Sequence, residues 1–357
     1  MINDTHRVQT ATSELISDFD YELPEELIAQ HPLDNRDAAR MLVLDRAKRR
    51  WCDTRFLELA SYLTPGDLVV VNNTRVFPAR LVGRREPSGG RVEVFLLREH
   101  GPRVWETLAR PARRLQQNSR LFFGDGRLSA EVLELLPGGR RMVRFECEGP
   151  FEEALDVLGQ TPLPPYIKRN NESSEDRQIY QTVYASARGA IAAPTAGLHF
   201  TRQAMDKLEA SGIGIAELTL HVGYGTFEPV RVRNVIDHRV APERYEMGES
   251  SAKAINETHA RGNRIVAIGT TTTRALESAT DENGRVVAGA GEARLTITPG
   301  YKFRVVDSLL TNFHLPRSSL LILIAAFAGR DLVLEAYEHA VAEHYRFYSY
   351  GDCMLII

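Results

Sequence analysis

The chain has 357 residues, of which 43% are hydrophobic and 25% are charged, and its formal net charge at pH 7 is −3. This is the composition of an ordinary soluble protein, and its longest apolar run, residues 320–328, is too short to span a bilayer. The polar start shows no secretory signal, so we expect a cytoplasmic protein. The three cysteines lie far apart without a Cys-x-x-Cys pair, so we expect no bound metal.

The first part of the chain predicts a tail followed by α/β structure. Residues 1–17 are polar and are typical of a disordered tail. An acidic first turn predicts a short helix over residues 24–28, and residues 39–46 indicate a strand. Residues 54–63 have a helical hydrophobic period that ends at a Thr-Pro-Gly-Asp turn, so we expect a second helix there.

Short alternating strands separated by Gly-rich and Pro-rich turns follow over residues 71–149. They predict a small antiparallel β-barrel, inserted into an α/β domain that comprises residues 18–70 and 150–357. Residues 75–144 contain 15 Arg, no Lys and seven acidic residues, a local charge of +8, whereas the rest of the chain carries −11. Such segregation suits a polyanion-binding arm, and a solvated arginine-rich surface is an equally good interpretation.

The carboxyl-terminal half predicts a different architecture. A helix is expected at residues 151–160, and the Pro-rich, polar segment 160–190 is either an ordered crossing or a mobile lid. Beyond residue 190, strands, turns and helices alternate. The predicted fold class is therefore α/β, with a mainly parallel sheet, helices packed on it and the inserted antiparallel β-barrel.

Polar, Gly and Pro residues collect where the predicted parallel strands end. Ligands bind at the carboxyl edge of such sheets, so we expect these residues to share one cleft. They are Asn72, Asn73, Arg75, Pro194, Thr195, Gly197, His199, His221, Gly223, Tyr224, Gly225, Thr226, Gly269, Thr270, Thr271, Thr272, Thr273, Arg274, Thr311, Asn312, Phe313 and His314. Singly, each has a structural explanation, such as a hydrogen-bonded histidine, a turn glycine or a helix cap. Their coincidence at one edge favours a binding site.

Several blocks of the sequence occur in a recognisable order. They are DFDYELPEELIAQHPLDNRDAARMLVLDR, LVVVNNTRVFPARL, LPPYI, YQTVYA, AAPTAGLHF, TLHVGYGTFEPVRV, RIVAIGTTTTRALES, LLTNFHLPRSSLL and YRFYSYGDCMLI. These blocks resemble the signatures of the S-adenosylmethionine:tRNA ribosyltransferase-isomerases of queuosine synthesis. The resemblance covers residues 18–357, and many ordered blocks are far more specific than any single motif.

The resemblance implies a fold and a reaction. The implied fold is an α/β domain with an inserted β-barrel, which agrees with the pattern analysis. S-adenosylmethionine is implied as a ribosyl donor that is consumed as a substrate, with no separate cofactor. Its ribosyl moiety goes to 7-aminomethyl-7-deazaguanine at the wobble position of tRNA, giving epoxyqueuosine with release of adenine and methionine. The implied partner is the anticodon stem-loop, and we expect a monomer.

This chemistry needs groups that accept and donate protons. The sulfonium acidifies its neighbouring 5′ protons, and protonation assists the departure of adenine. General acid–base help is typically worth about 10²–10⁴-fold, and histidine has an unperturbed pKa of about 6.5. The catalytic candidates are His199, His221 and His314, with Asp352 orienting a histidine or facing the sulfonium; base and acid stay unassigned among them.

Binding residues follow from the same resemblance. Candidate substrate-binding residues are Asn73, Arg75, Pro194, Thr195, Gly197, Phe200, Tyr224, Gly225, Thr226, Phe227, Thr271, Thr272, Thr273, Arg274, Thr311, Asn312, Phe313, Arg346 and Tyr350. The aromatic members offer a wall for adenine, and Arg274 with its threonines offers a partner for the donor's amino-acid end. Candidate tRNA phosphate contacts are Arg84, Arg85, Arg113, Arg114, Arg140 and Arg141.

Two positions depart from the family pattern. Ala241, within HRVAPE, stands where the family commonly has a histidine, and Arg188 replaces a usual proline. Two other functions would predict different sequence patterns. A methyltransferase predicts a Gly-rich loop after the first strand and an acid at the end of the second, and this pair is absent from the sequence. A non-catalytic RNA-binding protein explains the arginines but not the polar cluster.

Overall fold

The computed structural model describes residues 14–164, 166–168, 176–227 and 230–357. The strands are β1 (Arg40–Asp45), β2 (Arg50–Arg55), β3 (Leu68–Asn72), β4 (Thr74–Val76), β5 (Arg80–Arg85), β6 (Gly90–Gly101), β7 (Val104–Arg110), β8 (Arg120–Phe123), β9 (Leu128–Leu135), β10 (Arg140–Cys147), β11 (Gly159–Gln160), β12 (Ala187–Ala190), β13 (Gly214–Leu220), β14 (Glu243–Met247), β15 (Ile265–Ile268), β16 (Gly289–Ala293), β17 (Ser308–Asn312) and β18 (Cys353–Ile356). The α-helices are α1 (Phe151–Leu158), α2 (Asp176–Ile179), α3 (Arg202–Ala210), α4 (Glu249–Ala260), α5 (Thr270–Ser278), α6 (Ser319–Ala328) and α7 (Arg330–Ala342).

The main sheet has nine strands in the order β16-β14-β13-β3-β15-β17-β18-β1-β2. Its centre, β13-β3-β15-β17, is parallel, whereas β18 runs antiparallel to β17 and parallel to β1. The central strand β3 is buried along its whole length. Its Val70 packs in one core with Ile255 of α4, and its Val69 packs in a second core with Leu208 of α3. Burial on both faces explains the unbroken apolar run of β3.

The barrel is closed and antiparallel. Its strands follow the order β5-β6-β7-β10-β9-β8, and β8 pairs back with β5. Side chains that alternate along these strands, such as Val94, Leu121 and Val143, fill a core separate from that of the main sheet. The α/β fold class with an antiparallel barrel is thus confirmed. Phe151 and Leu155 of α1 also pack into the barrel core, although the sequence assigned residues from 150 onwards to the α/β domain.

Two other sequence predictions differ from the structure. The helix predicted over residues 54–63 is confirmed only in part, because residues 54 and 55 belong to β2, which pairs with β1, and a 3₁₀ helix, Phe56–Tyr62, follows. The tail prediction is wrong for residues 14–17, since Leu15 bridges Asn234 and Ile16 is buried; residues 1–13 lie outside the described residues. Within the segment 160–190, residues 165 and 169–175 also lie outside the described residues. In the part of the chain that is described, no helix has the length and apolar character needed to cross a membrane.

Candidate active site

A pocket lies at the carboxyl edge of the central parallel strands. Nine of the predicted cleft residues line it: Pro194, Thr195, Gly269, Thr270, Thr271, Thr311, Asn312, Phe313 and His314. They come from the segment after β12, from the start of α5 and from the end of β17, so the predicted meeting of distant polar segments is observed for this group. The described lining residues contain no Asp, Glu, Lys or Arg, so the pocket is uncharged, and its mostly apolar surface carries a few hydroxyl, amide and imidazole groups.

A chain of hydrogen bonds runs outward from the pocket lining. The Thr195 hydroxyl donates to the amide oxygen of Asn312 over 3.1 Å, and the amide nitrogen of Asn312 lies 3.2 Å from Nε2 of His199. Because an amide nitrogen only donates, Nε2 of His199 accepts and carries no proton. His199 therefore acts on the pocket through Asn312 and lines a second, small cavity beside it, together with Ser349 and Tyr350.

Burial keeps His199 and His314 neutral. Burial lowers the pKa of His199 to about 4, with a smaller opposing effect of its hydrogen bond to the Arg36 backbone. Burial likewise lowers the pKa of His314 to about 3. The ring of His314 lies between the hydroxyls of Thr311, 3.4 Å from Nε2, and Tyr337, 3.3 Å from Nδ1. Both imidazoles are therefore hydrogen-bonding groups without charge at pH 7.

His221 lies at the end of β13, outside the lining of the pocket, although the adjacent Val222 belongs to that lining. Its Nδ1 is 2.8 Å from the hydroxyl oxygen of Thr74, which fixes the ring against β4. Burial, and then the charge of Arg244, lower the pKa of His221. His221 is only half-buried, so it is the most accessible of the three candidate histidines.

Only the beginning of α5 faces the pocket. Gly269, Thr270 and Thr271 belong to the lining, and the φ of Gly269 is 91°, a left-handed conformation that favours glycine at this strand-to-helix turn. The hydroxyls of Thr272 and Thr273 are buried and donate to backbone carbonyls four residues earlier. The threonine run was predicted to bind as one group, but helical rotation turns these two side chains into the protein.

Arg274 has a different environment from the predicted one. It is 5% exposed and forms a buried ion pair with Glu243. Its guanidinium also donates to the carbonyls of Ala241, Ala293 and Leu295. This arrangement disfavours the predicted contact with the donor, because the donors of Arg274 are used to join α5 to β14 and β16.

Asp352 joins three segments of backbone. Its carboxylate accepts the N–H groups of Arg40 and Arg346, each over 2.8 Å, and burial raises its pKa despite these bonds. The predicted contact with a histidine is not made by this carboxylate, since Asp352 reaches the His199 network through its backbone carbonyl, 3.5 Å from Asn312. Arg346 hydrogen-bonds the His31 carbonyl, and its Nη1 is buried with no hydrogen-bond partner among the described residues.

The aromatic wall consists mostly of residues that the sequence analysis did not select. Phe313 lines the pocket as predicted, whereas Phe200 is fully buried against Phe56 and Tyr184. The additional lining residues include Tyr166, Tyr180, Leu320, Tyr348 and Ser349. Tyr166 hydrogen-bonds Ser349, and its ring centroid is 3.7 Å from that of Tyr348. The tyrosines lie in the blocks LPPYI, YQTVYA and YRFYSYGD, and membership of these blocks is the sequence feature that could have identified them as site residues.

The remaining substrate-binding candidates lie away from the pocket lining. Asn73 hydrogen-bonds Glu217 and Thr219, Arg75 is exposed on β4, and Gly197 packs against Tyr184. The ring of Tyr224 lies 5.8 Å from that of Phe95 of the barrel, and Gly225 contacts Ala241. The side chains of Thr226 and Phe227 lie outside the described part of the chain.

The barrel arginines predicted to bind tRNA fall into two groups. Arg84, Arg113 and Arg114 are exposed. In contrast, Arg85 donates to the Arg114 carbonyl, Arg140 pairs with Glu106, and Arg141 is 7% exposed and bonds the carbonyls of Ala112, Leu115 and Arg140. The structure disfavours a phosphate contact at Arg141 because its guanidinium is already hydrogen-bonded to backbone carbonyls of the barrel.

Comparison with known proteins identifies the family to which the chain belongs. Residues 16–356 match the model of the family described as queuosine biosynthesis protein. S-adenosylmethionine:tRNA ribosyltransferase-isomerases of Clostridium kluyveri and Desulfitobacterium hafniense are 50% and 48% identical to the chain, over 96% of it and 99% of their own lengths. The crystal structure of an S-adenosylmethionine tRNA ribosyltransferase from Thermotoga maritima is similar with a TM-score of 0.54 and 37% identity, covering 96% of this chain and 100% of that one. The chain is therefore a transferase that belongs to the queuosine biosynthesis protein family.

Proposed function

We propose that the chain transfers and isomerises the ribosyl moiety of S-adenosylmethionine onto 7-aminomethyl-7-deazaguanine at the wobble position of tRNA. The products are epoxyqueuosine-tRNA, adenine and methionine, and S-adenosylmethionine is consumed as a substrate with no further cofactor. The observation that carries the proposal is the uncharged pocket at the sheet edge, where Thr195, Asn312 and His314 line the same space as Tyr166 and Tyr348.

The chemistry of the donor supports this assignment. S-adenosylmethionine combines a flat purine, a ribose with hydroxyls and a sulfonium cation. Aromatic rings such as those of Tyr348 and Phe313 can stack on a purine or face a cation, and threonine and asparagine side chains can bind hydroxyls. A pocket without a positively charged lining residue avoids repelling the sulfonium, which is why the absence of arginine from the described lining matters.

Proton transfer is best assigned to His221. A base must be neutral at the working pH, and the lowered pKa values of all three histidines satisfy this condition. All three rings make hydrogen bonds within the protein, but the rings of His199 and His314 are buried, whereas His221 is half-buried after the end of β13. In the proposed reaction His221 accepts a 5′ proton, and His199 positions the amide of Asn312 against the substrate.

The experiment supplies tRNA bearing 7-aminomethyl-7-deazaguanine together with S-adenosylmethionine, and it measures the small-molecule products and the modified nucleoside. We expect adenine, methionine and epoxyqueuosine in equal amounts. Formation of S-adenosylhomocysteine without adenine would instead identify a methyltransferase, and binding of tRNA without any product would identify an RNA-binding protein.

A variant tests the role of His221. We expect His221→Ala to lower the rate of adenine release by about 10²–10⁴-fold, the usual contribution of general acid–base catalysis, while tRNA binding is kept. The cytoplasmic location and the monomeric state stay predictions, to be measured by fractionation and by light scattering.

A further inference from the structure

The outer surface of three adjacent barrel strands carries arginines that form no ion pair with any described residue. Along β5, β6 and β7, alternate residues such as Val94 and Ala109 are buried in the barrel core. The alternation directs Arg84, Arg91 and Arg110 outward, and all three are exposed. We refer to Arg84, Arg91 and Arg110 as the arginine face.

Two arginines of this face lie directly opposite each other. In the antiparallel register of β5 and β6, Arg84 is the partner of Arg91. Like charges at directly opposite positions destabilise an antiparallel pair. The barrel therefore keeps an unfavourable arrangement at this position, one that a bound anion would relieve.

The nearby acidic residue does not balance the arginine face. Glu93 lies opposite Arg110 in the register, but its carboxylate is 3.0 Å from Arg80 and forms an ion pair with it. Within the described ranges, no ion pair involves Arg84, Arg91 or Arg110. A single carboxylate, already paired with Arg80, thus faces two further positive charges, those of Arg91 and Arg110.

Another surface of the same barrel is balanced. On β9 and β10, Arg144 pairs with Glu131 over 2.6 Å and with Glu146 over 3.8 Å. The excess of arginine is consequently not a uniform property of the barrel surface. Arg84, Arg91 and Arg110 differ from Arg144 in that no carboxylate of the described residues forms an ion pair with them.

The arginine face lies on the side of the barrel that contacts the main domain. Phe95 lies on the outer side of β6, as Arg91 does, and its ring centroid is 5.8 Å from that of Tyr224 of the main domain. Tyr224 comes two residues after Val222, which lines the pocket. Phe95 is four positions after Arg91 along the strand, which corresponds to about 13 Å. Arg91 is therefore about 13 Å along β6 from this contact between the barrel and the main domain.

We infer that Arg84, Arg91 and Arg110 bind successive phosphates of the RNA whose target base enters the pocket. The inference rests on the proposed function and adds to it the surface that holds the RNA backbone. Guanidinium groups bind phosphate oxygens through paired hydrogen bonds, and each neutralised phosphate releases counterions and makes the affinity depend on salt. The phosphates also supply the negative charge that the Arg84 and Arg91 pair lacks.

The test replaces both members of the cross-strand pair by a neutral residue, in Arg84→Gln/Arg91→Gln. We expect the affinity for tRNA to fall about tenfold or more at low salt, and the slope of log K against log salt to become shallower by about 2. Removing the like-charge contact should leave the melting temperature unchanged or higher, so a loss of affinity cannot be attributed to unfolding. Binding of S-adenosylmethionine alone should not change.

The matched control is Arg127→Gln, which removes one exposed arginine from the turn before β9 on another side of the barrel. We expect this control to retain the affinity and the salt slope of the unmodified chain. Equal losses of tRNA affinity in the control and the double variant, or an unchanged salt slope in the double variant, would overturn the role of the arginine face in binding RNA. Neither result would overturn the proposed function. If the unmodified chain bound no tRNA, the proposed function itself would be overturned.

Discussion

The amide nitrogen of Asn312 lies 3.2 Å from Nε2 of His199, so the last residue of β17 orients a histidine from the turn after β12. The amide oxygen of Asn312 is occupied by the Thr195 hydroxyl. With both ends of the amide engaged, its orientation is determined, and Nε2 of His199 must be the acceptor. The two strand ends are thereby joined by side chains beside the pocket.

Replacing Asn312 by Asp should change which partner of this contact carries the proton, from residue 312 to Nε2 of His199. A carboxylate only accepts hydrogen bonds, so it would favour a protonated His199 and raise its pKa from about 4. We expect the rate of adenine release to fall on the order of 10²-fold because the geometry of the network is lost. Histidine NMR titration and the adenine assay measure the two effects. Asn283→Asp, in an exposed turn, is the control, and an unmoved His199 titration in Asn312→Asp would refute this account of the contact.

Stability should decline in acid because of the buried histidines. The folded pKa of His199, about 4, is below its unfolded value of about 6.5, so the unfolded state binds more protons between these pH values. The free energy of unfolding is therefore highest above pH 6.5 and decreases as the pH falls towards 4, by up to about 3 kcal/mol for His199. His314 extends this decrease towards pH 3.

Urea denaturation between pH 7.5 and 4.5 measures this dependence. We expect His199→Gln to show a shallower decline than the unmodified chain, whereas His259→Gln, on the exposed side of α4, should follow the unmodified curve. Coincident curves for all three proteins would show that His199 is not buried in its neutral form.

The ion pair between Arg274 and Glu243 should contribute to stability rather than to binding. Arg274→Met leaves a buried carboxylate without its partner, which typically costs about 3–5 kcal/mol. Adding Glu243→Gln removes that charge and keeps an oxygen for the N–H of Gly223, so part of the loss should be recovered. Chemical denaturation measures both variants. If the KM for S-adenosylmethionine stays high in the stable double variant, this result would support the predicted contact of Arg274 with S-adenosylmethionine.

A methyl group at residue 189 should disturb His221. The Cβ of an alanine at this position would lie 2.6 Å from Cε1 of His221, so the ring must move away from Thr74. We expect Gly189→Ala to reduce adenine release by about tenfold to 10²-fold, the effect of a displacement of about 1 Å in an active site. Gly248→Ala, whose new Cβ meets no atom within 4 Å, is the control. Full activity of Gly189→Ala would argue against His221 as the base.

Much of the architecture was predictable because it depends on local patterns. Alternating residues and turn signals predicted the barrel, and the apolar run of β3 followed by Asn72 predicted a buried strand with a polar end. The helix expected at residues 54–63 begins later than predicted for a non-local reason. Its first two residues pair with β1, so the 3₁₀ helix begins at Phe56 and buries Phe56 and Leu59.

The sequence by itself determined the fold class, the family and the strand ends that carry the polar residues, because these follow from periodicity and from ordered motifs. Only the tertiary structure decided which of those residues reach the pocket. Thr271 lines it while Thr273 is turned inward by helical rotation, and Arg274 is held by Glu243, 31 residues away in the chain. Tyr166 and Tyr348 meet although 182 positions separate them in the sequence. Contacts between distant segments depend on packing in three dimensions, which no local pattern encodes.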